Sequence, residues 1–219
     1  MLRKDSRIIL ALDETDVSKA LEVARQVEGL VDAIKINWPL LLSAGPGIIS
    51  KLSGMAAVIC DFKVADIPNT NRLITEQTMR LGAEGIIVQG FVGRDSVRAV
   101  VEAARGKSVF VVTEMSHPGG MEFTAPVADS LARLAVEEGA TGVIAPATRP
   151  GRVREMRRLV GDRLILTPGV GAQGGSAAEA IRNGADYVII GRSIYEDPAP
   201  GRAAMRFRDE LLSAKDGPF

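Results

Sequence analysis

Two carboxylates and an ammonium group lie close together in the stretch CDFKVAD, as Asp61, Lys63 and Asp66. Side chains of a strand alternate between its two faces, so Asp61 and Lys63 share one face. Cys60 and Phe62 share the other face. If these two pack outward against helices, the charged pair points into the mouth of a barrel, with Asp66 in the loop beyond. The spacing therefore predicts a polar site suited to proton transfer.

Asp13 and Lys35, at the ends of neighbouring predicted strands, point to the same region. A single Asp–Lys pair is more often a structural ion pair, but five charges from three strands at one end of a barrel favour an active site. A lysine between carboxylates stays protonated, so it is a poor Schiff-base nucleophile and a better proton donor to a carbanion. A carboxylate beside a substrate carboxylate would favour the loss of that group as carbon dioxide.

Two segments near the C-terminus predict a phosphate site. Pro168–Ser176, rich in glycine, follows the predicted seventh strand, and Gly191-Arg192-Ser193 follows the eighth. Glycines let backbone N–H groups approach an anion, and the guanidinium of Arg192 can bind phosphate oxygens in pairs. In many barrels the loops after strands seven and eight bind phosphate. The first segment alone could be a flexible turn, but both together favour a phosphate site, and the first could also close as a lid.

A third polar segment, Thr113–Gly120, follows the predicted fifth strand. Ser116 is suited to donate a hydrogen bond to a substrate ring or carboxylate. A Ser–His–Asp triad is not expected, because Ser116 and His117 are adjacent and their side chains diverge, and no nucleophile elbow surrounds the serine. We expect His117, which precedes Pro118, to be a loop residue.

Short apolar runs alternate with amphipathic stretches along the chain. The runs predict eight strands, at Arg7–Leu12, Ala33–Ile36, Ala57–Phe62, Gly85–Val88, Ser108–Thr113, Gly142–Ala145, Leu164–Thr167 and Tyr187–Ile190. The stretches predict helices that include Val17–Glu28, Thr70–Leu81, Ser96–Arg105, Val127–Glu138 and Arg152–Val160. Eight strand–helix units in 219 residues favour a single α/β domain over residues 1–219, a (β/α)8 TIM barrel. A doubly wound sheet is disfavoured because the first strand ends in LDET, without a glycine-rich turn.

The composition excludes several classes of function. Lysine plus arginine equals aspartate plus glutamate at 27 each, so no broad basic surface for nucleic acid is expected. Cys60 and His117 are the only residues of their types, which excludes an intrachain disulfide, a thiolate metal cluster and any mechanism with two imidazoles. The first residues do not resemble a signal peptide and no run is long enough to span a bilayer, so a cytoplasmic protein without membrane contact is expected.

Taken together, these residues resemble the orotidine 5′-monophosphate decarboxylases, most closely their compact archaeal-type branch. The resemblance runs from the first strand to the eighth and depends on Asp13, Lys35, the Asp61-x-Lys63-x-x-Asp66-Ile67-Pro68-x-x-Thr70 stretch, Ser116, the segment from Pro168 to Gln173, and Gly191-Arg192. It implies decarboxylation of orotidine 5′-monophosphate to uridine 5′-monophosphate without a metal or any other cofactor.

The resemblance also implies a role for each residue. Lys63 would protonate C6 of the pyrimidine, Asp61 would face the departing carboxylate, and Lys35 with Asp66 would hold the charges in place. The ribose would contact Asp13 and Thr70, the pyrimidine Ser116, and the phosphate Arg192 and the Gly191 backbone, while Gln173 would contact both phosphate and base. The implied substrate-binding residues are Asp13, Lys35, Asp61, Ile67, Thr70, Ser116, Pro168, Gly169, Val170, Gly171, Gln173, Gly191 and Arg192.

In this family the segment that holds Asp66, Ile67 and Thr70 reaches into the site of a neighbouring subunit. The resemblance therefore implies a homodimer with shared active sites and an inactive free monomer. Gln89, at the end of the predicted fourth strand, departs from the histidine of some close relatives, but it coincides with no residue assigned to catalysis.

Alternative functions remain within the same wider group. Mg²⁺-dependent sugar-phosphate decarboxylases and aldolase-like synthases share the Asp61, Lys63 and Asp66 pattern, but carry a glutamate metal ligand at the end of strand two. Here that position is Lys35, whose ammonium would repel the cation. Epimerase-type barrels need several histidine ligands, and this chain has one histidine. A barrel that only bound nucleotides, or a structural subunit, would lack the charge array but keep the phosphate site, whereas both are intact here.

Overall fold

A computed structural model describes residues 2–213 of the chain. Its eight parallel strands close into a barrel in sequence order. The strands are β1 (Ile8–Leu12), β2 (Ala33–Ile36), β3 (Ala57–Val64), β4 (Gly85–Gln89), β5 (Ser108–Val112), β6 (Gly142–Ile144), β7 (Leu164–Pro168) and β8 (Tyr187–Ile190). Each bound lies within two residues of its prediction, and the predicted (β/α)8 TIM barrel is confirmed.

Helices follow the strands around the outside of the barrel. They are α1 (Val17–Gln26), α2 (Trp38–Ala44), α3 (Gly47–Ser53), α4 (Pro68–Arg80), α5 (Arg94–Ala103), α6 (Gly120–Phe123), α7 (Ala128–Glu137), α8 (Pro150–Val160), α9 (Ala177–Arg182), α10 (Arg192–Tyr195) and α11 (Pro200–Ser213). The five named in the predictions correspond to α1, α4, α5, α7 and α8. Within residues 2–213, none is both long and apolar enough to cross a membrane.

The alternation of strand side chains divides the apolar core into two layers. One set, which includes Ile59 and Phe110, fills the interior of the barrel. The other set packs between the strands and the helices and includes Cys60 and Phe62. Asp61 lines a cavity at the mouth of the barrel, so the predicted orientation of β3 is confirmed. Aliphatic side chains can fill both layers because parallel strands are covered on both faces.

The N-terminal segment closes the opposite end of the barrel. Leu2 is buried among the interior side chains, and the Tyr187 hydroxyl donates a hydrogen bond to the Arg3 carbonyl oxygen at 2.7 Å. The Asp32 carboxylate accepts a hydrogen bond from the backbone N–H of Arg7 at 2.7 Å. These contacts form the floor of the barrel, and the polar side chains lie at the other end.

Candidate active site

A cavity of about 340 Å³ opens at the carboxyl ends of the strands. The predicted residues that line it are Asp13, Lys35, Asp61, Lys63, Ser116, Pro168, Gly169, Val170, Gln173, Gly191 and Arg192. The lining also includes residues that were not assigned to the site, among them Asn37, Glu114, Met115, His117 and Tyr195. Asn37 could have been assigned, because strand alternation places it on the same face as Lys35. Four predicted residues, Asp66, Ile67, Thr70 and Gly171, lie outside the lining.

Asp61 pairs with two lysines in this cavity. Its Oδ2 is 2.9 Å from the Nζ of Lys35, and its Oδ1 is 2.8 Å from the Nζ of Lys63. Asp13 is farther away, with its Oδ1 3.7 Å from the Nζ of Lys35. Lys35 and Asp61 are buried, whereas the side chain of Lys63 is 31% exposed. The ammonium group of Lys63 is therefore accessible to a ligand in the cavity.

The two lysines determine the charge of Asp61. Burial alone would raise the pKa of the Asp61 carboxyl, because a charge is poorly solvated inside a protein. The ammonium groups of Lys35 and Lys63 outweigh this effect and hold the pKa below its ordinary value. Asp61 is therefore ionised at neutral pH, and it would repel a second carboxylate bound beside it.

The backbone of Lys63 has an unusual conformation. Its φ is +44°, a left-handed value that costs roughly 1–2 kcal/mol in a residue with a Cβ. On β3 and β4, Cys60 pairs with Ile86 and Val64 pairs with Val88, so β3 advances four residues while β4 advances two. Lys63 lies in the resulting bulge. Bulges and strained backbones are frequent beside active sites, where they direct a side chain toward the substrate.

The loop after β7 is a compact turn that packs against α10, the short helix after β8. The N–H of Gly175 donates to the carbonyl of Gly169 at 2.9 Å, and the N–H of Gly171 donates to the carbonyl of Gly175 at 3.0 Å. Gly171 has a φ of +71°, which favours glycine. A Cβ at Gly171 would overlap the hydroxyl of Ser193 in α10, so the β7 loop lies directly against this helix. Arg192 begins α10, with an exposed side chain at the cavity.

Ser116 and Gln173 both lie close to Gly169. A Cβ built on Gly169 would lie 3.5 Å from the Cβ of Ser116 and 3.3 Å from the Oε1 of Gln173. The hydroxyl of Thr148 donates to the Ser116 carbonyl oxygen at 3.2 Å, which connects the loops after β5 and β6. A ligand in the cavity can therefore contact polar groups from both the β5 and the β7 loops.

Glu114 holds the β5 loop in place through a buried ion pair. Its carboxylate is fully buried and accepts hydrogen bonds from the Nε of Arg149 at 2.8 Å and from the Nε of Arg152 at 2.9 Å. Arg149 also donates to the carbonyl oxygen of Met115. Because both oxygens of Glu114 have cationic partners, this residue supports the segment that carries Ser116.

The turn that holds Asp66 is exposed but well ordered by hydrogen bonds. The N–H of Asp66 donates to the Oδ1 of Asn71 at 3.0 Å, and its carbonyl accepts from the Nδ2 of Asn71 at 2.8 Å. The hydroxyl of Ser96 donates to the same carbonyl at 2.9 Å. Ile67, the next residue, is 65% exposed. Asp66 and Ile67 are therefore exposed residues outside the lining of the cavity of their own chain.

The donor groups in the cavity suit an anionic ligand better than a metal ion. Within residues 2–213, no three or more histidine, cysteine, aspartate or glutamate side chains are grouped so as to hold a metal. Both oxygens of Asp61 are occupied by ammonium groups, from Lys35 and Lys63. A divalent cation at Asp61 would have to displace these two charges.

Residues 6–207 match the model of the Orotidine 5'-phosphate decarboxylase / HUMPS family. The chain belongs to this family. It is 55% identical over 213 residues to the orotidine 5'-phosphate decarboxylase of Methanococcoides burtonii, with 96% of this chain and 99% of that protein covered. It is 54% identical over 212 residues to the enzyme of the same name from Thermococcus kodakarensis, with 95% and 98% covered.

Solved structures of the family share the fold. The orotidine 5'-monophosphate decarboxylase of Methanocaldococcus jannaschii, complexed with the inhibitor BMP, matches with a TM-score of 0.89 and 43% identity over 93% of this chain and 97% of that one. The enzyme of Pyrococcus horikoshii matches with a TM-score of 0.88 and 46% identity over 94% and 99%. The predicted family and the predicted enzyme class, a decarboxylase, are confirmed.

Proposed function

We propose that this chain converts orotidine 5′-monophosphate to uridine 5′-monophosphate, a step of de novo pyrimidine biosynthesis, without a metal or any other cofactor. The relatives from Methanococcoides burtonii and Thermococcus kodakarensis, 55% and 54% identical to this chain, are named for that activity. The observation that carries the proposal is the buried carboxylate of Asp61 between the ammonium groups of Lys35 and Lys63. This group provides a fixed negative charge beside a proton donor.

In the proposed reaction, the substrate carboxylate lies beside Asp61 and C6 of the pyrimidine lies beside Lys63. The bond between C6 and the carboxylate breaks, carbon dioxide leaves, and the electron pair stays on C6. A proton from the Nζ of Lys63 then forms the C6–H bond, and the neutral amine regains a proton from solvent. Repulsion by Asp61 disfavours the bound carboxylate, and the ammonium group of Lys63 stabilises the carbanion.

The remaining cavity residues would bind the rest of the nucleotide. Arg192 and the backbone N–H of Gly191 would bind the phosphate, and Asp13 would contact the ribose. Ser116 would donate to the pyrimidine, and Gln173 would contact both base and phosphate. Ser116 and Gln173 line the same cavity and both lie near Gly169, which supports this division because one ligand can contact both side chains.

Turnover in excess chelator tests the proposal. We expect wild-type protein to consume orotidine 5′-monophosphate at the same rate with and without chelator, as monitored by the change in absorbance. Lys63→Ala should show no turnover because it lacks the proton donor, yet should still bind uridine 5′-monophosphate in a calorimetric titration. Lys51→Ala, at an exposed lysine of α3, is the matched control and should be fully active.

Two results would contradict separate parts of the proposal. Near-normal turnover by Lys63→Ala would show that another group protonates C6. Loss of wild-type activity in chelator, restored by Mg²⁺, would instead indicate a metal-dependent reaction of the wider group.

We further propose a homodimer in which Asp66, Ile67 and Thr70 complete the site of the neighbouring subunit. The exposure of the Asp66 turn and its position outside its own cavity support this arrangement. Exposed apolar side chains on nearby elements also support it, since Leu42 of α2 is 79% exposed and Leu73 of α4 is 46% exposed. Exposed apolar patches of this kind often mark interfaces between proteins.

Hybrid dimers test the shared site. Lys63→Ala and Asp66→Asn should each be nearly inactive alone. After the two variants are mixed, dissociated and reassociated, a hybrid dimer has one site with both wild-type residues. Random pairing should therefore restore about a quarter of the wild-type activity. If the mixture stays inactive while hybrid dimers form, as shown by mass spectrometry, Asp66 acts within its own chain. Near-normal turnover by Asp66→Asn alone would show that Asp66 has no role in the reaction.

A further inference from the structure

The φ of Lys63, +44°, is unfavourable for a residue with a Cβ. Contacts of neighbouring groups must therefore stabilise this left-handed conformation. The angle φ describes rotation about the bond from N to Cα of Lys63. It therefore depends on the orientation of the planar peptide group that joins Phe62 to Lys63. That plane contains the carbonyl group of Phe62. A hydrogen bond to the Phe62 oxygen thus acts directly on the conformation of Lys63.

Trp38 donates this hydrogen bond. Its indole N–H is 3.2 Å from the carbonyl oxygen of Phe62. The pairing of β2 with β3 ends where Ile36 lies opposite Cys60, so this ladder does not extend to Phe62. Trp38 lies two residues beyond the end of β2. Its indole N–H supplies the hydrogen bond that the backbone of a longer β2 could have donated.

Trp38 makes two further contacts, one through its ring and one through its backbone. Its ring packs against the ring of Phe62, with centroids 5.0 Å apart and planes inclined by 35°. Its backbone N–H donates to the Oδ1 of Asn37 at 2.7 Å, at the start of α2. The packing of the two rings keeps the indole N–H beside the Phe62 carbonyl, although Trp38 is 45% exposed.

We propose that Trp38 is a positioning residue that holds the ammonium group of Lys63 in place for proton transfer, through the Phe62–Lys63 peptide. The inference rests on the proposed function, in which Lys63 is the proton donor. Trp38 does not line the cavity, so we expect it to act on Lys63 and not on the substrate directly. Without its hydrogen bond, the peptide can rotate toward ordinary strand geometry and shift Lys63, while the phosphate loops stay unchanged. The effect should therefore appear in kcat and not in KM.

Replacement of tryptophan by analogues tests the inference, because Trp38 is the only tryptophan of the chain. β-(3-Benzothienyl)alanine, incorporated in a tryptophan auxotroph, keeps the fused rings and has sulfur in place of the N–H. 4-Fluorotryptophan keeps the N–H and is the matched control. We expect the benzothienyl protein to have a kcat about 2- to 10-fold below that of the control, as for the loss of one hydrogen bond. The KM and the subunit mass by light scattering should agree between the two proteins.

A second variant and two contrary results make the test decisive. Trp38→Phe keeps an aromatic ring without the donor and should show the same fall in kcat at unchanged KM. Equal kcat in the two analogue-labelled proteins, with Lys63→Ala inactive, would overturn the inference and leave the proposed function intact. Full turnover by Lys63→Ala would overturn the role of Lys63 and the inference with it.

Discussion

We expect the substrate phosphate to be bound mainly by the guanidinium of Arg192. Arg192→Ala removes charge-assisted hydrogen bonds, so KM should rise by about 10- to 100-fold. The melting temperature should barely change, because the side chain is exposed. Steady-state kinetics and thermal unfolding measure the two effects. Arg154→Ala, at an exposed arginine of α8, is the control, and a wild-type KM in Arg192→Ala would contradict the assignment.

Cys60 should be unreactive in the folded protein although it is next to Asp61. Burial, and to a lesser extent the carboxylate of Asp61, raises the pKa of the Cys60 thiol to about 12. Since the thiolate is the reactive species, a disulfide reagent near pH 8 should label Cys60 in denaturant but not in the folded chain. Rapid labelling of active, folded protein would show that the outer layer of β3 opens more readily than its packing indicates.

The sequence revealed Asp61 and Lys63 because strand alternation and the position at a strand end are local features. It did not reveal the role of Glu114, which was recognised only as polar. The arginines that pair with Glu114 lie at least 35 residues further along the chain, as Arg149 and Arg152. A contact of this kind depends on how β5 lies beside the start of α8, and no local pattern encodes it.

The bulge in β3 was also beyond the reach of local patterns. Alternation predicts that Lys63 faces the barrel, and the structure agrees. The left-handed φ of Lys63 depends on the register between β3 and β4, where Val64 pairs with Val88 after two extra residues. Register is a property of two strands together, so the sequence of β3 alone could not indicate it.

Helix α4 should influence catalysis through the turn that precedes it. Asn71, fully buried, makes two hydrogen bonds to the backbone of Asp66. Asn71→Ala should therefore lower kcat by about 10-fold or more, since Asp66 loses its fixed position. Thr78→Ala is the control, because the buried Thr78 hydroxyl donates to the carbonyl of Ile74 within α4 and does not touch the turn.

A double-mutant cycle separates this effect from a general loss of stability. If Asn71 acts through Asp66, Asn71→Ala should cost little further activity in the Asp66→Asn background. An undiminished further loss of kcat there would show that Asn71 supports the protein in some other way.

The order of elements in the whole barrel was predictable because each strand–helix unit carries its own apolar pattern. The closure of the opposite end of the barrel was not predictable, because it brings together segments that are distant in sequence. Leu2 enters the barrel interior, and Tyr187 donates to Arg3 from the other end of the chain. Asp186 belongs to the same end of the barrel and accepts a hydrogen bond from the N–H of Ile165 at 2.9 Å. Its carboxylate also pairs with Lys4 and Arg157.

Asp186 should make the stability of the whole barrel sensitive to acid. Burial alone would raise the pKa of its carboxyl, but its hydrogen bonds and the charges of Lys4 and Arg157 hold the pKa below its ordinary value. A carboxyl whose pKa is lower in the folded than in the unfolded chain stabilises the fold above the unfolded pKa, and this stabilisation is lost as the pH falls through the folded pKa. The free energy of unfolding in urea should therefore decline below about pH 4.

Asp186→Asn should be less stable than wild type at neutral pH and should lose less stability on acidification. The exposed control Asp209→Asn should follow wild type. An acid dependence in Asp186→Asn as steep as that of wild type would assign the sensitivity to other carboxylates.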